Sequence, residues 1–212
     1  MMKSVNIPAI VITRLALYAR NLALLDQHRV EMVSSARLAD ICSVNPAQVR
    51  KDLAYFGEFG TRGLGYYVKE LLYTIRKILG LEKEWRLALV GVGGLGAALL
   101  RDAEFLNPGY AFVAAFERDP EKIGMRVGDV TVSSLEAMNP LVREKGVELG
   151  VIAVSPRWAQ EAADRLVDAG VNGVLNLAPV QLQCPSDVHV ENIDLTLKLD
   201  VLSYRLTSAN SR

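Results

Sequence analysis

Trp85-Arg-Leu-Ala-Leu-Val-Gly-Val-Gly-Gly-Leu-Gly96, WRLALVGVGGLG, decides how the chain is read. Leu87, Ala88, Leu89 and Val90 form a short unbroken apolar run of the kind a buried strand needs, and Ala97, Ala98, Leu99 and Leu100 continue as the first turns of a helix. Between them stands Gly91-Val92-Gly93-Gly94-Leu95-Gly96, which fits the pattern GxGxxG. Gly91 lets the chain turn tightly off the strand, Gly93 lets the backbone approach a pyrophosphate, and Gly96 lets the helix lie close to the sheet. The freed N–H groups and the positive end of the helix dipole then face the anion. A second apolar run, Phe112 to Phe116, ends on Glu117, about twenty residues past Gly96, where the fingerprint expects a carboxylate for the ribose hydroxyls. Glycine-rich turns also join strands to helices without any ligand. Here the flanking strand, the helix and the acidic residue together favour dinucleotide binding.

Working toward the C-terminus, strands are predicted at Leu87 to Val90, Phe112 to Phe116, Val130 to Val132, Leu149 to Val154 and Gly173 to Asn176. Helices begin near Leu95, Leu135 and Arg157, with a short turn at Pro120. Continuous apolar strands such as LGVIAV are typical of a parallel sheet covered on both faces. The expected class is therefore α/β, with a Rossmann-like parallel-sheet domain. A short segment, Val188 to Val190, leads into a last helix from about Ile193 to Leu206. Its Leu195, Leu199, Leu202 and Leu206 follow a 4-3-4 spacing. Such a stripe needs a partner, either its own domain or another subunit.

The N-terminal part has a different character. Residues 1 to 80 carry 11 Lys and Arg against 6 Asp and Glu, and the remainder carries 13 against 18, although the whole chain is formally neutral. That asymmetry points to two domains, the first facing an anionic partner. Leu15, Tyr18, Leu22 and Leu25 recur at helical spacing between Pro8 and Gln27. Ser34 or Ser35 is placed to cap a second helix, Ala36 to Cys42, with Leu38, Ala39 and Ile41 inward. Asn45-Pro46 is a strong start for a third helix running to about Phe56. There Val49, Leu53 and Phe56 share one face, Gln48, Lys51 and Tyr55 the opposite one, and Arg50 flanks them.

Two short helices joined by a tight turn, the second showing Gln, Arg and Lys, form the helix-turn-helix arrangement that enters a major groove. Gln can bond adenine bidentately, and Arg or Lys can bond guanine or phosphate. GEFGTRGLGYYV, Gly57 to Val68, then reads as a β-hairpin wing with Arg62 at its tip, suited to an A·T-rich minor groove. A fourth helix, Val68 to Leu79, carries Leu71, Leu72, Ile75 and Leu79 on one stripe and ends at Gly80. The expected domains are a winged helix at 1–81, a Rossmann domain at 82–190 and a C-terminal helix and tail at 191–212.

Charges at Arg14 and Arg20 interrupt the apolar N-terminus, so neither a signal peptide nor a membrane span is expected. Cys42 and Cys184 form no motif, which suits a cytoplasmic protein. With only His28 and His189 and no Cys/His cluster, no metal site is expected.

QVRKDLAYFGEFGTRGLGYYV together with LVGVGGLG, AAFERDPEKIG, VLNLAPV and VHVENIDLTLKL closely resembles the Rex family of redox-sensing transcriptional repressors, over roughly Ile7 to Leu206. The resemblance implies a homodimer whose winged helices bind an inverted-repeat, A·T-rich operator and whose Rossmann domains bind NADH and NAD, with NADH releasing the DNA. It implies a domain-swapped last helix. By position it puts Ala47, Gln48, Arg50, Lys51 and Tyr55 on the recognition helix and Arg62 on the wing. The cofactor residues it implies are Gly91, Val92, Gly93, Gly94, Leu95 and Gly96 for the pyrophosphate, Glu117 and Arg118 at the adenosine ribose, and Val154, Asn176, Ala178 and Pro179 toward the nicotinamide. Arg20, Asp102 and Asp194 resemble the positions that couple the two domains.

Two positions depart from the family. Glu117 stands where Asp is usual and is followed by Arg118, which leaves limited NADP(H) binding open. Asp102 stands where some members have a tyrosine, and two facing aspartates would repel. The alternative is a small NAD-dependent dehydrogenase or reductase. That enzyme needs a proton donor or acceptor at the hydride-transfer site, and His189 is the only imidazole after the fingerprint. No stretch is left over for a substrate domain, so the expectation is a non-catalytic sensor.

Overall fold

The structure is a computed structural model that describes residues 7–61, 64–102 and 109–209, and the chain divides into two compact units, Met1–Lys83 and Glu84–Arg212. The first is a helix-turn-helix unit. Helix α1 (Ala9–Gln27) buries Leu15, Tyr18, Leu22 and Leu25, the residues whose spacing predicts it. Helix α2 (Ser35–Ile41) starts on Ser34, whose hydroxyl accepts from the Arg37 N–H at 3.1 Å. Helix α3 (Pro46–Ala54) starts on Asn45, whose side chain accepts from the Ala47 N–H at 2.7 Å, with Pro46 in the first turn. Each cap satisfies a donor that has no partner within its helix. Ser43, with φ 53°, supplies the left-handed step that makes the turn between them tight.

Ile41 corrects one expectation. It is 41% exposed rather than inward, and Cys42, only 6% exposed, takes the inner place. The inward stripe of α2 is Leu38, Ala39 and Cys42, at i, i+1 and i+4, and Ile41 falls beside it as the helix ends.

Strand β1 (Met32–Val33) pairs antiparallel with β2 (Tyr66–Tyr67), in register Met32 to Tyr67 and Val33 to Tyr66. The expected hairpin is thus only partly a hairpin. Among the described residues one antiparallel bridge, Thr61 to Gly65, closes the wing, while the returning arm pairs with β1 instead. Arg62 lies outside the described residues. Helix α4 (Val68–Ile78) lays Val68, Leu71 and Ile75 onto the core formed by Leu15, Tyr18, Leu22, Leu38, Val49 and Leu53.

The second unit is a Rossmann domain. Its strands are β3 (Trp85–Val90), β4 (Tyr110–Glu117), β5 (Arg126–Val127), β6 (Val130–Ser134), β7 (Leu149–Ile152), β8 (Gly173–Asn176) and β9 (His189–Asn192). Among the described residues they form one sheet in the order β5-β6-β4-β3-β7-β8-β9, parallel except for the edge strand β5. Successive residues of β3 face opposite cores. Ala88 and Val90 pack with Phe116, Met138, Ile152 and Leu166 on one side, and Leu87 and Leu89 pack with Leu100, Ala115, Val132 and Val151 on the other. Helix α5 (Gly94–Arg101) contributes to the second face, and α6 (Met138–Glu144) and α7 (Pro156–Asp168) to the first. Double coverage is why the strands are apolar throughout rather than alternating. The last helix, α8 (Leu195–Ala209), is exposed along every residue whose burial is described.

Candidate functional site

Strand order reverses between β3 and β7, since the chain leaves β3 for β4 on one side and reaches β7 on the other. In an open α/β sheet the crevice at the carboxyl ends of two such strands is where ligands bind. The residues that follow them, Gly91 after β3 and Ala153, Val154 and Ser155 after β7, border a cavity of about 190 Å³. Gly93, Phe116, Glu117, Arg118, Leu135 and Trp158 also line it.

The glycines divide into two kinds. Gly91 has φ +98°, and a Cβ there would lie 2.6 Å from Val154 Cγ1 and 2.7 Å from Ala153 O. A Cβ on Gly96 would run into the carbonyl oxygen of Gly91. These two are needed by the fold itself. At Gly93 and Gly94 an added Cβ would meet nothing within 4 Å, and Gly93 is the N-cap of α5. The space next to the first turn of α5 is therefore open on the side where its N–H groups lack intrahelical acceptors. N–H groups of this kind, at the positive end of a helix dipole, favour an anion.

Glu117 closes one end of this crevice. One carboxylate oxygen accepts from the Val92 N–H at 2.8 Å, and the other from Arg118 N–H at 2.7 Å and Asp119 N–H at 3.2 Å. Lys122 Nζ lies 3.9 Å away. The carboxylate is thereby fixed on the glycine loop. Arg118 turns away from it, its guanidinium 3.5 Å from the centre of the Trp158 ring, a cation–π stack at the cavity wall. Val154 is on the same wall. Asn176 is fully buried, and its amide is consumed internally: Nδ2 donates to Val180 O and Asn192 Oδ1, and Oδ1 accepts from Ala178 N–H. It thus shapes the turn carrying Ala178, which is buried, and Pro179, which is exposed.

On the first unit, a cleft of about 710 Å³ runs between α3 and the wing, lined by Ser34, Ser35, Arg50, Ala54, Gly57 and Thr61 among others. Arg50 Nη1 donates to Ser35 Oγ at 3.0 Å, and Ala47 and Lys51 are exposed. Gln48 and Tyr55 are half-buried. Sequence reading missed the reason for Gln48. Asp52, one turn on and fully buried, accepts its Nε2–H at 2.6 Å. Asp52 also accepts from Arg14 Nε and Nη2, at 2.5 and 2.7 Å, and from the Tyr18 hydroxyl at 2.8 Å. The available signal was the acidic residue itself, standing on the apolar face of α3 between Val49 and Leu53, where it needs a cation.

Burial pushes the Asp52 carboxyl up, but the hydrogen bonds from Arg14, Gln48 and Tyr18 and the charge of Arg14 outweigh it and hold the group below its ordinary range. A depressed carboxyl contributes stability that is complete above its unfolded value of about 4 and is lost as the pH falls through the folded value. Thermal melts of wild type and Asp52→Asn at matched pH values below about pH 5 should therefore converge as the pH drops. A constant gap would contradict this. Asp52→Ala should cost about 3 to 5 kcal/mol, because Arg14 is left partly buried without its partner.

Of the expected coupling residues, Arg20 is exposed on α1 and Asp102 is exposed at the end of α5. Asp194 caps α8: its Oδ1 accepts from the Thr196 N–H at 2.8 Å, the Thr196 hydroxyl at 2.6 Å and the Leu197 N–H at 3.4 Å. The Thr196 side-chain hydrogen bond is the main reason the Asp194 carboxyl is held below its ordinary value. Among the described residues no group of three or more His, Cys, Asp or Glu could hold a metal, and no helix is long and apolar enough to cross a membrane.

A family model described as CoA binding domain matches residues 82–180, and one described as putative DNA-binding protein N-terminus matches residues 6–54. The redox-sensing transcriptional repressor Rex of Syntrophobacter fumaroxidans is 49% identical to this chain, over 97% of it and 99% of its own length. That of Desulforamulus reducens is 48% identical, over 97% and 98%. Among solved structures, RSP, a Rex-family repressor, in complex with β-NAD+ and operator DNA superposes with a TM-score of 0.90 at 35% identity, over 98% of this chain and 95% of that one. RSP in complex with β-NADH gives 0.87 at 33% identity, over 98% and 97%.

Proposed function

Because the chain belongs to the Rex family of redox-sensing transcriptional repressors, we propose that it holds operator DNA while NADH is scarce and lets go when NADH fills the crevice of its second unit. The observation that carries this reading is the bare turn at Gly93 and Gly94, open at the switch point of the sheet, on the same chain as a capped helix-turn-helix. Gly91 to Gly96 would hold the pyrophosphate. Glu117, fixed beside Val92, would take the ribose hydroxyls and repel a 2′-phosphate, and Arg118, stacked on Trp158, would border the adenosine. Val154, Ala178 and Pro179 would lie toward the nicotinamide, with Asn176 shaping their turn. NADH supplies a neutral nicotinamide ring and NAD a cationic one, and an apolar wall disfavours burying the uncompensated charge.

On the DNA side, Ala47, Gln48, Arg50, Lys51 and Tyr55 would meet the major groove and Arg62 the minor groove. Arg20, Asp102 and Asp194 would relay the state of one unit to the other in a cytoplasmic homodimer. A dehydrogenase is disfavoured by position. His189 is level with Gly173, at the amino end of the sheet, whereas the crevice lies at the carboxyl ends, three residues or about 10 Å further along the strands.

The test is a gel shift on the DNA upstream of the gene, or on an A·T-rich inverted repeat, with NAD and NADH added separately. NADH should release the DNA at concentrations where NAD does not, and operator DNA should weaken NADH binding by the same factor that NADH weakens DNA binding. Equal action of the two cofactors would overturn the redox reading. Arg62→Ala should flatten the salt dependence of binding and reduce the preference for A·T-rich sites, because it removes a groove-seated cation. An unchanged salt slope would remove Arg62 from the interface.

A further inference from the structure

The bonding of Gln48 fixes more than the stability of α3. An amide can present either its oxygen or its nitrogen to a partner, and which one faces outward is normally decided by what it meets. Here it is decided in advance. The ionised carboxylate of Asp52 only accepts hydrogen bonds, and its two oxygens already take three further donors, from Arg14 Nε, Arg14 Nη2 and the Tyr18 hydroxyl. Turning the Gln48 amide over would bring its oxygen against Asp52 Oδ1, which now lies 2.6 Å from Nε2. Two acceptors at that distance repel. Among the described residues no buried side-chain oxygen or nitrogen lacks a partner, so the Gln48 oxygen, which accepts no hydrogen bond, reaches solvent.

We propose that Asp52 locks the Gln48 amide with its carbonyl oxygen outward, so that the recognition helix reads an amino base, adenine or cytosine, over a keto base at one position of each half-site. The inference rests on the DNA-binding reading above. In the major groove adenine N6 and cytosine N4 offer a donor to such an oxygen, whereas guanine O6 and thymine O4 offer a second acceptor. The amide N–H not used by Asp52 can add a bond to adenine N7, which ranks adenine above cytosine; at guanine or thymine that N–H can find an acceptor, but the amide oxygen is left without a donor. Asp52 is accordingly a positioning residue, touching no base itself.

The experiment uses the full-length protein and a bound operator in which each half-site position is replaced, symmetrically, by every base. Wild type should show one position where A or C is preferred over G or T by about tenfold per half-site, and Gln48→Ala should lose that preference. Deleting the exocyclic amine there, by adenine to purine or cytosine to 2-pyrimidinone, should cost wild type a similar factor and cost Gln48→Ala nothing. Asp52→Asn, with its oxygen kept for Arg14 Nε and the Tyr18 hydroxyl, turns an N–H₂ toward Gln48 and loses the bond from Arg14 Nη2, which should flip the Gln48 amide and move the preference to G or T. A Gln48-dependent preference for keto bases in wild type would overturn the inference, as would no Gln48-dependent position. A folded Asp52→Asn that still prefers amino bases would overturn the role of Asp52. Should Asp52→Asn fail to fold by circular dichroism, the amine deletion in wild type alone decides. Failure of any form to bind DNA is a different result, because it removes the DNA-binding reading itself.

Discussion

Gly93→Asp should leave the protein folded, weaken both NADH and NAD by about 100-fold or more, and produce a repressor that NADH no longer releases from its operator. Gly93 has φ −78° and ψ −165°, extended backbone that any residue adopts, and a Cβ there meets nothing within 4 Å. It is also the N-cap of α5, a position where Asp is among the preferred residues because its carboxylate accepts from the first turn and sits at the positive end of the dipole. The substitution therefore suits the free protein. What it displaces is the pyrophosphate, since the new carboxylate takes the same N–H groups and repels the phosphates. Gly96→Ala makes the contrast, because its Cβ would overlap the Gly91 carbonyl and loss of binding would come with loss of the fold. Calorimetric titration, circular dichroism and operator release would be measured together. NADH-driven release that survives Gly93→Asp would mean that the cofactor does not bind at this turn.

Removing residues 193 to 212 should convert dimers to monomers and weaken operator binding by about 100-fold or more, because two linked half-site contacts become one. Leu195, Leu199, Leu202 and Leu206, the stripe legible in sequence, are 66%, 60%, 52% and 61% exposed. Leu197, Val201 and Tyr204, on other sides of the helix, are exposed as well. A helix apolar around most of its circumference is at home only when surrounded, and its own chain leaves it uncovered. Another copy of the chain is the occupant the proposed dimer provides. Sedimentation of the truncated protein gives the answer. A truncated chain that still sediments as a dimer and keeps its affinity would assign dimerisation to other surfaces.

The Rossmann sheet was legible because its signals are local and strong. The GxGxxG turn, the carboxylate at Glu117 and the unbroken apolar strands each follow from backbone sterics and double burial. Strand β5 escaped notice although Gly128-Asp129, between Val127 and Val130, is a two-residue hairpin signal with Gly128 at φ +59°. The two-residue strand β1 carries no period to detect. Ile41 was misplaced because a helix seven residues long does not reveal from spacing alone where its stripe will stop. The Asp52 cluster was hidden for a different reason: Arg14 and Asp52 are 38 residues apart, and only the packing of α1 against α3 brings the cation to the carboxylate. The same limit applies to Glu117, whose presence was readable but whose anchoring to the Val92 N–H was not.

The stack of Arg118 on Trp158 gives the protein an optical readout of its own. The chain has two tryptophans, Trp85 at the start of β3 and Trp158 in the wall of the crevice. Reduced nicotinamide absorbs in the band where indole emits, and the oxidised ring does not. An NADH molecule in that crevice would quench Trp158 by resonance energy transfer and glow in its place, while NAD would leave the emission colour unchanged. Occupancy by NADH alone could then be followed in unlabelled protein, in the presence of NAD and with DNA bound or absent, by exciting indole and watching the reduced ring answer.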